Sequence, residues 1–302
     1  MSPPFHCGTV AIVGSANVGK STLLNCILGE KVSITSPIAQ TTRNLIRGVL
    51  TDERGQLVMM DTPGMHKARG DLGRLMNNRA RSSADGADVV LLVLDGSRPP
   101  REEDEGWMQR LCGGDAPCVI ALNKADIDTR AEELCRAAWE RARAAKSPDA
   151  TRKTPFFTIS AMKGEGVPAL VEQLFALLPE GPLLFPEDML SDFPRKLAIA
   201  DIIREKLFAL LEEELPHAVA VFVDTLDERE DAWVIQADIY VNKPSQKGIV
   251  IGNKGRLLAR AKRAAEAELS ALYEKEVKLD LWVKVQEDWS RNYWLLKKLG
   301  YV

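Results

Sequence analysis

Six short apolar runs punctuate the first 160 residues: Thr9–Val13, Leu45–Leu50, Leu57–Met60, Val89–Asp95, Cys118–Leu122 and Phe156–Ile159. Runs this short, rich in β-branched residues and all but the second closed by Gly, Ser, Asp or Asn, read as strands. Val89–Asp95 is almost continuously apolar, as in a strand covered on both faces, and is expected to be core and nothing more. Glu53-Arg54-Gly55-Gln56 reads as a hairpin turn between the second and third runs. Helical patterns separate most of the others, beginning with Thr22–Leu28, which stops at Gly29. Strands alternating with helices predict an α/β fold with a doubly wound, mainly parallel sheet.

The pattern changes after Leu177-Leu178-Pro179-Glu180-Gly181-Pro182-Leu183-Leu184-Phe185-Pro186, a proline-rich stretch that reads as an interdomain linker. An amphipathic helix is expected over Pro194–Leu215, from apolar residues at Leu197, Ala200, Ile203, Leu207, Leu210, Leu211 and Leu215. Two strands follow, His217–Thr225 and Ala232–Tyr240, around the acidic turn Asp227–Asp231, a solvated hairpin tip. Two helices joined by a glycine-containing loop and a last strand, Val277–Val285, complete an α-β-β-α-α-β order. A chain of 302 residues suits two domains. The expected division is 1–180, a linker over 181–192, and 193–302.

Chemistry sits where the runs end. Gly14-Ser15-Ala16-Asn17-Val18-Gly19-Lys20-Ser21, followed by Thr22, satisfies G-x-x-x-x-G-K-[ST] between a strand and a helix. Glycines there let backbone N–H groups curl around phosphate oxygens. Lys20 supplies a positive charge toward the outer phosphates and Ser21 a hydroxyl for Mg²⁺. Asp61-Thr62-Pro63-Gly64 closes another run, placing a carboxylate for Mg²⁺ and the Gly64 N–H for a γ-phosphate. Asn123-Lys124-Ala125-Asp126 closes a third. A carboxylate at Asp126 accepts from guanine N1 and N2, a pair of donors adenine lacks, while Lys124 covers the base and Asn123 ties the loops together. Ser160-Ala161 closes a fourth, with backbone donors for guanine O6. In a doubly wound sheet all four loops converge on one crevice.

Their order resembles the translation-factor-type GTPases. That resemblance makes Thr42 the switch residue that meets Mg²⁺ and the γ-phosphate, with Thr41 as the fallback, and Lys20, Thr42, Gly64 and Asn17 the catalytic set. Asn17 stands where potassium-activated members of the class carry an asparagine that ligates K⁺. Met65 departs from the Ras pattern, which has a water-orienting glutamine there, and implies slow intrinsic hydrolysis.

In the C-terminal part, Lys247-Gly248-Ile249-Val250-Ile251-Gly252-Asn253-Lys254-Gly255-Arg256 joins two helices through G-x-x-G, the loop with which KH domains clamp a nucleic-acid backbone. Lys243, Lys247, Lys254, Arg256, Arg260, Lys262 and Arg263 make seven basic residues between Asn242 and Arg263, with no acidic one. Lys247, Gly252, Asn253, Lys254, Gly255, Arg256 and Arg260 are the candidate RNA contacts. A P-loop GTPase domain joined to a C-terminal α+β type II KH domain resembles the bacterial Era family, as do Asp201–Lys206 and Val283–Trp289. The resemblance implies GTP/GDP and Mg²⁺ as cofactors, binding to the 3′-end region of 16S ribosomal RNA, and assistance to 30S subunit assembly. The alternative from a different class is a nucleotide-gated scaffold with negligible turnover, acting through protein or membrane-surface partners. An ATPase is the third reading, which Asp126 opposes.

Global properties add little. The formal net charge of −3 hides the basic stretch. Cys7, Cys26, Cys112, Cys118 and Cys135 are scattered, without metal-ligand spacing, as in a reducing compartment. Met1–Cys7 lacks a signal-peptide pattern and no run reaches membrane-spanning length, so a cytoplasmic protein is expected, with peripheral contact at the inner face of the cell membrane left open; the expectation for its oligomeric state is a monomer.

Overall fold

The computed structural model describes residues 5–36, 38, 41–65, 70–146 and 153–301. Met1–Pro4 and three residues of the polar stretch after the first helix, Pro37, Ala39 and Gln40, lie outside them. The chain forms two compact units.

The first unit runs β1 (His6–Val13), α1 (Lys20–Leu28), β2 (Ile46–Asp52), β3 (Gly55–Asp61), α2 (Gly70–Asp85), β4 (Val89–Asp95), α3 (Glu102–Leu111), β5 (Cys118–Asn123), α4 (Glu132–Lys146), β6 (Phe156–Thr158) and α5 (Val167–Leu177). Its six-stranded sheet has the order β2-β3-β1-β4-β5-β6. Only β2 is antiparallel, paired to β3 through the hairpin. All seven residues of β4 are buried, as its continuous apolar run requires of a strand with helices on both faces. The chain leaves β1 toward β3 on one side and β4 on the other, so the crevice beyond the carboxyl end of β1 is the switch point where such sheets bind ligands.

The proline-rich stretch is pinned along the β2–β3 edge. Gln56, fully buried, accepts from the Leu184 and Phe185 N–H groups at 2.8 Å each, and Val49 N–H donates to Leu190 O at 2.9 Å. Ser191 bridges to Gly48 in the same way. Backbone groups at Leu184, Phe185, Leu190 and Ser191 are therefore paired with β2 or with the Gln56 side chain.

The second unit runs α6 (Arg195–Phe208), α7 (Leu215–Ala218), β7 (Ala220–Glu228), β8 (Ala232–Val241), α8 (Pro244–Ile251), α9 (Arg256–Tyr273), β9 (Glu276–Val285) and α10 (Tyr293–Lys298). β7 and β8 are antiparallel, and β9 lies parallel to β8 over ten residues. Ile235, Ile239, Val277, Leu279 and Val283 meet Ile199, Ile203 and Leu207 of α6 and Ala261, Ala265 and Leu269 of α9 in one core. The last three recur every fourth residue and place one apolar face of α9 on the sheet.

Two boundaries differ from expectation. The helix expected to Leu215 ends at Phe208, and Pro216, at the start of a new helix, makes Leu215–Ala218 a turn of α7 before the strand begins at Ala220. α6 is buried all round from Ile199 to Arg204, polar Asp201 and Arg204 included, so its apolar stripe alone understates its burial. The second unit also takes in Ile34–Thr41, and Ile34 is buried in its core.

Candidate functional site: a nucleotide crevice and a basic helix–loop–helix

The Gly14–Ser21 loop lies between β1 and the start of α1, where the helix presents free N–H groups and a partial positive charge. Gly19 has φ +100°, and a Cβ there would lie 2.2 Å from Asn123 Nδ2. Only glycine fits this left-handed turn against a neighbouring loop. Lys20 is buried and its Nζ donates to Ser15 O at 2.8 Å and Gly14 O at 3.2 Å, curling over the loop. Burial lowers its pKa to about 8 against the raising influence of Asp61 and Asp104. Phosphate oxygens that approach an ammonium poised this way favour its charged form.

Ser21, Thr42 and Asp61 come together from α1, the stretch before β2, and the end of β3. Ser21 Oγ donates to Asp61 Oδ2 at 2.7 Å and lies 2.8 Å from Thr42 Oγ1. Ser33, which sequence reasoning missed, also donates to Asp61 Oδ2, at 2.9 Å. The other carboxylate oxygen, Oδ1, is buried and has no hydrogen-bond partner. Burial pushes the Asp61 pKa up, with Lys20 and the two hydroxyls opposing. A buried carboxylate oxygen without a donor, beside two hydroxyls, is a hard oxygen set that fits Mg²⁺, which takes one or two carboxylates and completes its shell with water and phosphate. Thr41 does not join this group: its hydroxyl donates to Ile38 O at 2.7 Å.

Gly64 stands against the phosphate loop, where a Cβ would come 2.7 Å from the Ala16 Cα and 3.1 Å from Lys20 Nζ. Met65 N–H donates to Gly14 O at 3.1 Å, while its side chain packs on the apolar core around β4. Asn17 is exposed at φ +64°. This is a left-handed conformation that asparagine tolerates better than most residues, which gives it a backbone reason to be there beside any cation.

At the base end, Asn123 Nδ2 donates to Val18 O at 2.8 Å and Asn123 Oδ1 accepts from Ala161 N–H at 2.9 Å. Ser160 Oγ donates to Asp126 Oδ1 at 2.6 Å, which orients a carboxylate that is otherwise exposed. Lys124 Nζ pairs with Asp95 Oδ2 at 2.8 Å. Asp95, the last residue of a strand expected to be only core, also pairs with Arg98 at 3.3 Å, and Arg98 reaches Asp104 at 3.0 Å and Ser15 Oγ at 3.4 Å. Arg98 carries no motif, and only its position after a strand end could have drawn attention to it.

In the second unit α8 ends at Ile251, and Gly252 leads into a tight turn over Asn253–Gly255 that opens α9 at Arg256. Asn253, Lys254, Arg256 and Arg260 are exposed, as is Lys247 on α8, and Gly252 and Gly255 are half-buried in the turn. Lys254 at φ +49° projects from the loop tip. Ile249, 52% exposed just before the loop, supplies an apolar patch beside these cations that charge counting overlooked. Cations around a helix N-terminus with an apolar neighbour suit a single-stranded nucleic-acid backbone and unstacked bases.

Residues 9–124 match a family model described as a 50S ribosome-binding GTPase, and residues 214–290 match a KH domain. The chain is 41% identical to GTPase Era of Halothermothrix orenii over 98% of this chain and 99% of that one. It is 43% identical to GTPase Era of Geobacter sp. strain M21 over 98% of each. Among solved structures, Era in complex with MgGDPNP and nucleotides 1506–1542 of 16S ribosomal RNA superposes with a TM-score of 0.90 at 37% identity, covering 99% of both chains. An Aquifex aeolicus Era variant bound to GDP and AlF4⁻ gives 0.89 over 99% of this chain and 100% of that one.

Proposed function

The chain belongs to the Era family of GTPases, and we propose from that premise that it is a GTP-hydrolysing switch that binds the 3′-end region of 16S ribosomal RNA and assists 30S subunit assembly. The observation that carries the nucleotide half is the convergence of Ser21, Thr42 and Asp61 around a buried, unpartnered carboxylate oxygen. The RNA half is supported by the exposed basic loop Gly252–Gly255 and by a relative of nearly full coverage solved with that RNA. The proposal keeps the division at 1–180, 181–192 and 193–302.

In this reading the loop N–H groups and Lys20 hold the phosphates, and Asp126, Ser160 and Ala161 select guanine, with Lys124 over the base and Asn123 locking the loops. Ser21, Thr42 and Asp61 hold Mg²⁺, which when bound neutralises charge on the outer phosphates. Thr42 and Gly64 sense the γ-phosphate. The Met65 side chain, turned onto the core, offers no hydrogen bond to a water, so intrinsic turnover is slow. Asn17 would help to hold a K⁺, which would supply a positive charge near the phosphates.

The direct test measures phosphate release from GTP, and affinity for RNA of nucleotides 1506–1542 with GDPNP and with GDP. Slow, Mg²⁺-dependent release with tighter RNA binding in GDPNP is expected. Equal RNA affinities would remove the switch, and absent turnover would leave a nucleotide-gated scaffold.

A further inference from the structure

The proposed switch leaves open how the state of Thr42 reaches the RNA-binding unit. One buried cation bears on this. Arg204, in the middle of α6, is 1% exposed; both terminal nitrogens of its guanidinium are engaged, while Nε is buried without a partner. One arm pairs with Asp201 at 2.8 Å one turn earlier and also donates to Tyr301 Oη at 2.8 Å, and the other donates to the backbone carbonyl of Thr41 at 2.8 Å.

Core stability alone does not call for this arrangement. Burying a guanidinium and a carboxylate costs several kcal/mol per ion in lost hydration, and an apolar side chain of similar volume is often as stable or more so. What an arginine adds is geometry: its planar fork addresses several acceptors at fixed angles. The acceptor it reaches here is 163 residues away in sequence, at the end of the Ile34–Thr41 segment counted with the second unit, and Ile34 anchors the segment's start in that unit's core. Tyr301, 2% exposed, ties the C-terminal end of the chain to the same cation.

The Thr41 carbonyl shares a rigid, planar peptide unit with the Thr42 nitrogen. Holding that carbonyl therefore fixes the plane from which Thr42 departs, and Thr42 Oγ1 lies 2.8 Å from Ser21 Oγ in the Mg²⁺-binding group. A displacement of the Thr42 backbone away from that group, unlike a turn about its side-chain bond alone, carries the same peptide plane with it and strains or breaks the bond to Arg204.

We propose that Arg204, oriented by Asp201 and Tyr301, is the positioning residue through which the second unit senses engagement of Thr42. The inference rests on the switch reading. With Thr42 at the metal group the carbonyl bond is made; with Thr42 released it is weakened. By linkage, whatever stabilises the Arg204–Thr41 bond favours Thr42 at the triphosphate and is favoured by it in return.

The test uses the full chain and compares Arg204→Lys, which keeps the charge but not the fork, with Tyr301→Phe, which removes one oxygen. RNA spanning nucleotides 1506–1542 is titrated with GDPNP-loaded and GDP-loaded protein, and the readout is the ratio of the two affinities. Thermal melts verify folding, and Tyr301→Phe serves if Arg204→Lys does not fold. Wild type is expected to show a ratio of about fivefold or more, in the usual range of coupling between sites. The variants are expected to fall toward one while GDP affinity stays at the wild-type value, a pattern that general loosening of the core would not give. A wild-type ratio retained in the folded variants overturns this assignment and leaves the switch standing. A ratio of one in the wild type overturns both.

Discussion

Gly19 and Asn123 are mutually fitted: the asparagine amide occupies the space that any side chain at position 19 would need, 2.2 Å from where a Cβ would stand. That amide links the phosphate end to the base end through Val18 O and Ala161 N–H.

Replacing Asn123 with alanine leaves a buried carbonyl and a buried N–H unpaired, at about 1–3 kcal/mol each. Gly19→Ala expels the same amide and also strains a left-handed backbone. Both substitutions are expected to cut GDP affinity at least tenfold. Because each removes the other's partner, the double variant loses less than the sum, and a double-mutant cycle read by fluorescent GDP titration gives a coupling energy of about 0.5 kcal/mol or more.

Lys20, with its pKa near 8, makes nucleotide binding pH-dependent. Phosphates require the charged form, so affinity is expected to be flat below pH 8 and to fall above it, with proton uptake on binding. For the unliganded protein the sign is opposite. The folded pKa lies below the unfolded value of 10.5, so unfolded chains bind more protons between pH 8 and 10.5, and the penalty this group places on folding is relieved as pH rises across that window. Calorimetry in buffers of different ionisation enthalpy checks the uptake, and Lys20→Met abolishes it.

Asn17 is best probed by Asn17→Gly, which keeps the φ +64° backbone and removes only the amide. GTP turnover in wild type is expected to be faster in KCl than in NaCl, and Asn17→Gly to erase the difference while GDP affinity holds. Equal wild-type rates in the two salts would end the K⁺ proposal.

Asp126→Asn replaces the proposed acceptor of two guanine donors with a group that donates one hydrogen bond of its own. Preference is expected to move from GTP to XTP by roughly two orders of magnitude or more. Competition binding with the two nucleotides reads it out.

On the RNA side, Lys254→Ala and Arg256→Ala remove exposed cations at the loop and at the start of α9. Each is expected to weaken single-stranded RNA binding and to reduce the slope of log affinity against log salt by about 0.7 per lost phosphate contact, with nucleotide affinity unaffected. Filter-binding titrations across salt concentration measure both.

What the sequence by itself determined are the features whose physics is local. Strand β4 was legible because six apolar residues in a row have one comfortable place, and the phosphate loop because a tight anion-binding turn needs glycine at set spacings. The Gly252–Gly255 turn was legible for the same reason, once an acid-free basic stretch surrounded it. Tertiary structure alone decided the contacts between residues far apart in the chain. Asp95 and Arg98 meet Lys124 and Ser15, Gln56 pins the 181–192 stretch, and Arg204 finds the carbonyl of Thr41 rather than solvent. A hydrogen bond to a backbone carbonyl places no demand on the side chain of the residue that offers it, so no spacing or residue type at position 41 could have announced it. The choice between Thr41 and Thr42 was of this kind too: two adjacent threonines are chemically identical, and only the fold sets which hydroxyl lies beside Ser21.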